Sequence, residues 1–240
     1  VGALILGALL GCGGEKFPPP DHTFYGRTGV SETVTRAEAL AIADAYWRHR
    51  WFAGSANILH GSDGAGVRVD TPDEGFSAPG IRPGWWKAGE WNVGVPYQWG
   101  GFSSLEELDA GVRRGLAAGD VYTEAKRAEL EAAVSAEAVG IDCSGFISRC
   151  WKLSRPISTR ALPGICDELG SYEDLRPGDI LNLHNAHVLL FAGWEDAEKT
   201  RMVEYEAGSP PTWKVLKNTI TVERLQGLGY QPYRYKGMVD

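Results

Sequence analysis

The chain has 240 residues, of which 43% are hydrophobic and 23% charged. That apolar share excludes a disordered chain and is enough for one sizeable domain without cross-links. The formal net charge of −7, with no Lys/Arg-rich stripe, excludes a nucleic-acid partner held by phosphate contacts.

Residues 1–12 form an apolar run too short to span a bilayer, and they end in small residues and Cys12. They read as the tail of a secretory signal. Leu9-Leu10-Gly11-Cys12 resembles the bacterial lipobox, whose cysteine becomes the lipid-modified first residue of a lipoprotein. The resemblance implies lipidation at Cys12, a membrane anchor there, and a secreted or cell-envelope location. Leu10 is bulkier than the residue usual in that motif, and neither a starting Met nor a basic flank precedes the run, so the chain is expected to be shortened at its start. The plain alternative is a hydrophobic leader segment of a soluble or secreted protein. Residues 13–34, with Pro18-Pro19-Pro20, read as a flexible tether.

Thr35-Arg36-Ala37-Glu38 is a capping box, followed by Leu40, Ile42, Ala43, Ala45 and Tyr46, and predicts a helix ending near Trp51. Residues 56–91 carry Gly, Pro, Asp and aromatics and predict short strands and turns, so that 35–90 forms an N-terminal helix plus an irregular segment. Trp85-Trp86 is expected to pack. The Ala- and Glu-rich stretch 104–137, broken at Gly119-Asp120, has the composition of a surface helical insertion. Phe146 to Trp151 is an apolar helical run. Arg155-Pro156, Leu162-Pro163-Gly164 and Arg176-Pro177-Gly178-Asp179 are loop and turn signals. Strands are predicted at 180–183, 186–193, 201–207, 213–216 and 230–235. A helix packed on an antiparallel sheet is an α+β arrangement.

Chemistry is concentrated at Asp142-Cys143-Ser144-Gly145. Cys143 opens a helix, where unpaired backbone N–H groups and the helix dipole favour a thiolate. Asp142 reads as the N-cap and Asp179 as a turn former. His187 opens an apolar strand and is the candidate base; His184 competes with it. His22, His49 and His60 read as tether, helix-surface and loop residues. No carboxylate stands at ligand spacing from His184 and His187, and no C-x-x-C pair exists, so no metal and no other cofactor is expected. Cys150 and Cys166 could pair in an oxidising compartment or serve as small buried hydrophobes.

In order, Pro96-Tyr97-Gln98-Trp99-Gly100-Gly101, Asp142-Cys143-Ser144-Gly145-Phe146, Arg176-Pro177-Gly178-Asp179 and His187-Val188 resemble the NlpC/p60 family of papain-like cysteine peptidases. The resemblance covers roughly residues 91–210. It implies a papain-like catalytic domain over 91–240, interrupted by the insertion at 104–137, with a nucleophile helix on an antiparallel sheet. It also implies Cys143 as nucleophile, His187 as general base, and Tyr97 near the oxyanion. For the third polar residue the next strand offers Glu204 and Glu206; Glu206, followed by Ala207, fits the family pattern, as a carboxylate in place of the usual His, Asn or Gln. Glu204 reads as a solvated strand carboxylate. Residues 102–141 form a far longer connection than the family uses, and a lid or specificity wall near the cleft is expected there.

The implied activity is amide hydrolysis by a monomeric enzyme, with peptidoglycan stem peptides as substrate. The alternatives are an amidase or acyltransferase on another amide or ester, and a catalytically inactive wall-binding module.

Overall fold

The protein is seen here as a computed structural model that describes residues 33–77, 84–208 and 212–240. Five α-helices and one six-stranded sheet carry the architecture among these residues. Helix α1 spans Arg36–Arg48 and starts as its capping box dictates: Glu38 N donates to Thr35 Oγ1 at 3.1 Å, and Thr35 N donates to Glu38 Oε2 at 2.8 Å. It stops short of Trp51 because residues 50–52 turn into a strand paired with 91–93. A second small ladder joins 60–62 to 68–70, so the irregular segment does hold short strands.

The main sheet contains β1 (Cys166–Glu168), β2 (Ile180–Leu183), β3 (His187–Trp194), β4 (Arg201–Ala207), β5 (Val215–Thr221) and β6 (Gln231–Tyr235). Its spatial order is β5-β4-β3-β2-β6-β1, antiparallel throughout. Alternation along each strand separates two apolar layers. Val188, Leu190, Tyr205 and Val215 join the core that holds α1 and helix α4 (Cys143–Cys150). Leu181, Leu189, Phe191 and Met202 face the other way, onto Leu175, Tyr230 and Leu225 of helix α5 (Val222–Leu228). The predicted α+β arrangement of a cysteine-bearing helix on an antiparallel sheet is present, with β1 and α5 as elements that the sequence pattern did not reveal.

The segment 104–137 differs from its expected surface character. It forms helix α2 (Leu105–Arg113), helix α3 (Glu124–Glu129) and a 3-10 turn at 130–133. Its Leu108, Val112, Ala118, Val121 and Ala133 lie in the main core. Residues 117–118 pair with 138–139. Lys126 is buried and its Nζ donates to Asp120 Oδ2 at 2.7 Å and to the Arg68 carbonyl. Burial raises the Asp120 carboxyl to about 7 against the opposing pull of Lys126. The charged residues suggested a solvated face; one Lys–Asp pair turned inward gives the opposite result.

Asp179 is another residue whose role exceeds its expected one. It is fully buried at the turn before β2, where Arg36 Nη1 donates to it at 3.0 Å and Arg234 Nη2 at 2.7 Å. It thereby joins α1, the turn and β6.

Candidate active site

The site grows from the starts of α4 and β3, two elements packed on each other. Asp142 is the N-cap of α4, as expected: its Oδ1 accepts from Gly145 N at 2.6 Å and from Ser144 Oγ at 2.9 Å. The preceding motif lies directly against it. Ile141 N donates to the Pro96 carbonyl at 3.0 Å, Gln98 N to the Ile141 carbonyl at 3.1 Å, and Asp142 N to the Gly101 carbonyl at 3.1 Å. Gly145 follows from this contact, because a Cβ there would stand 2.3 Å from the Gly101 oxygen. Two of the motifs are therefore one backbone-to-backbone assembly.

Cys143, the first residue of α4, is buried. Cys150 and Cys166 are buried thiols outside any disulfide, and desolvation pushes both well above the usual thiol range. They serve as small hydrophobes, not as a pair.

Tyr97 is fully buried beside the start of α4, with its ring 5.5 Å from that of Trp213. Gly208, with φ +51°, makes room for it: a Cβ there would fall 2.7 Å from the tyrosine side chain. Burial first, and the charges of Asp142 and Asp120 next, push the Tyr97 phenol well up. It stays a neutral hydroxyl able to donate a hydrogen bond.

His187 opens β3 and is 1% exposed. Its Nε2 lies 2.6 Å from Glu206 Oε2. Leu190 pairs with Tyr205 across β3 and β4, which puts His187 and Glu206 on one face as diagonal neighbours. The other Glu206 oxygen, Oε1, accepts from Asn218 Nδ2 at 3.2 Å. The structure thus brings His187 and Glu206 into contact, and adds Asn218 from β5, which no sequence signal marked. His184 is exposed in the turn 184–186.

Glu204 corrects its solvated reading. It is 2% exposed, and its Oε2 has no hydrogen-bond partner among the described residues. Burial, then the charge of Glu206, drive it far above the ordinary carboxylate range.

His49 faces Asp109 at 2.8 Å and His60 faces Asp73 at 2.8 Å. Among the described residues no group of three or more His, Cys, Asp or Glu could hold a metal. Trp86 is buried and donates to the Ala118 carbonyl, and Trp85 donates to that of Trp213, so both tryptophans act in packing. A surface groove of about 650 Å³ is lined by Glu168, Tyr172, Gln226 and Tyr230 and includes none of the motif residues, whereas one of about 450 Å³ is lined by Glu204, Glu206 and Asn218. No family model matches the chain, and no curated protein matches it.

Proposed function

We propose that the protein is a papain-like cysteine hydrolase of the NlpC/p60 kind that cleaves an amide bond, with peptidoglycan stem peptides as the substrate class. The observation that carries this reading is the 2.6 Å contact between His187 Nε2 and Glu206 on the strand beside the Cys143 helix. A carboxylate on one ring nitrogen fixes the ring and stabilises its protonated form, which leaves Nδ1 to exchange a proton with the thiol.

The Cys143 thiolate attacks the carbonyl carbon, and the C=O π electrons move onto oxygen. The oxyanion accepts hydrogen bonds from the amide at the start of α4 and from the Tyr97 hydroxyl. As the C–N bond breaks, the His187 imidazolium protonates the departing amine, leaving a thioester on Cys143. Water, deprotonated by the imidazole, then releases the acid and restores the thiol. No cofactor enters any step.

Residues 1–32, including Cys12, lie outside the described residues. Anchoring through a lipid at Cys12 and a cell-envelope location belong to the same proposal. Among the described residues no helix is long and apolar enough to cross a membrane.

The test is digestion of purified muropeptides by the reduced protein, with products identified by mass. Cleavage should fall by about 10³-fold or more in Cys143→Ala. Wall-peptide binding by the reduced wild type without cleavage would point instead to the binding module.

A further inference from the structure

The ladder that joins 50–52 to 91–93 buries one face and leaves the other open. Trp51 and Asn92 turn inward, whereas Arg50, Phe52, Trp91 and Val93 alternate outward. In the register Phe52 stands opposite Trp91 and Arg50 opposite Val93, so the four form one block. Trp91 is 61% exposed, Phe52 49% and Val93 47%, the three most exposed large hydrophobic side chains among the described residues. The Phe52 and Trp91 rings meet edge to face at 5.8 Å. Side chains of this size ordinarily go inward, and a contiguous outward row of them marks an interaction surface.

The row is edged with positive charge. The Arg50 guanidinium lies 5.5 Å from the centre of the Trp91 ring, and Lys214 Nζ donates to the Val93 carbonyl at 3.3 Å. A groove of about 280 Å³ runs beside the row, lined by Arg50, Phe52 and Trp91 from the ladder and by Asp109, Val112 and Arg113 from α2. Against these cations stand Asp109, which faces His49 at 2.8 Å, and exposed Glu90 at the end of the ladder. The local balance is positive in a chain whose formal net charge is −7. An anionic surface therefore repels the molecule as a whole and attracts it through this face, which fixes its orientation.

The size of the row decides what covers it. With about 250 Å² for a Trp and about 200 Å² for a Phe, the open parts of Trp91, Phe52 and Val93 come to about 300 Å². A stable protein interface, a second copy of this chain included, buries roughly 800 Å² per partner. A lipid surface needs no such area, because a few aromatic side chains enter the headgroup layer while arginine and lysine meet the phosphates. We propose that the 50–52/91–93 ladder, with Arg113 beside it, is a membrane-contact face that docks on anionic lipid. The thiol chemistry plays no part in it.

The test uses the full chain with Cys12→Ser, so that no lipid is attached at that position, and measures co-flotation with vesicles. The protein should bind vesicles of equal parts phosphatidylglycerol and phosphatidylcholine and should bind phosphatidylcholine alone far more weakly. Binding should fall as salt rises from about 0.05 M to about 0.5 M. Trp91→Ser should weaken it about tenfold, and Arg50→Gln about fivefold with a shallower salt dependence. Phe52→Ser reads the same face should the Trp91 variant fail to fold, as judged by circular dichroism. Val239→Ser is the control: that side chain is 43% exposed and belongs to the strand paired with Val34–Thr35, at the opposite end of α1, and its loss should change nothing. Equal binding to both kinds of vesicle, binding unchanged in the ladder variants, or an equal loss in Val239→Ser overturns the proposal. So does a Trp91-dependent self-association in sedimentation, or Trp91-dependent binding to peptide-free glycan strands in place of vesicles. Because no readout involves Cys143, failure of the hydrolase reading leaves this result standing, and the reverse holds too.

Discussion

The two halves of the candidate site are held in different ways. At the start of α4 the atoms are located by backbone contact: Gly145 lies against the Gly101 carbonyl, and Gly208 gives way to Tyr97. At the start of β3 they are located by side-chain polarity, in a run from Asn218 through Glu206 to His187 with buried Glu204 alongside. Steric placement tolerates no added atom, and a change there is felt in folding. Polar placement tolerates isosteric change, and a change there is felt in rate and in pH response.

Four substitutions can break or sharpen this contrast. The largest expected effect is on the polar side: His187→Ala should reduce kcat/KM on the cleaved substrate by about 10³-fold, with far-UV circular dichroism unchanged. Next, Gly145→Ala should cost about 3 kcal/mol of stability, measured by urea unfolding, since its new methyl must displace backbone and not a side-chain tip. A stable Gly145→Ala protein with impaired turnover would refute the steric account. Glu206→Gln should fold normally and lose about tenfold in rate, because the His187 ring loses the carboxylate that orients it.

The smallest expected effect belongs to Glu204. Burial raises its folded-state value well above the 4.5 at which the unfolded chain releases the proton. Above that pH the folded state therefore holds a proton that the unfolded state lacks, and stability falls as pH rises. Glu204→Gln, which keeps the shape and cannot ionise, should flatten this decline in the range above about pH 5. An unchanged slope in denaturant titrations across that range would show that Glu204 is not the group responsible.

Much of this was legible in the sequence where local chemistry decides the outcome. The Thr35 capping box, the Asp142 cap, and the strands carrying His187 and Glu206 follow from patterns a few residues long, and alternation placed both glutamates of β4 on one face. What stayed hidden depends on partners far along the chain. Asp179 looks like a turn residue until Arg36 and Arg234 converge on it. Lys126 looks like surface charge until Asp120 draws it inward. Arg127 and Arg160, far apart in the chain, meet at the oxygens of Asn185. Glu204 was misread because period-two alternation identifies its face, whereas its depth depends on what packs over that face.

A short parallel ladder joins Val34–Thr35 to Met238–Val239, and Arg36 also pairs with Asp240 at 2.6 Å. The first turn of α1 is thus clasped by residues more than 200 positions later in the chain. This clasp sets an order on biosynthesis. While the chain is still being made, α1 can find α4 and the sheet, but its leading end cannot be sealed until 238–240 emerge. A nascent protein halted just short of that point would have its strands and helices in place and its first turn unfastened.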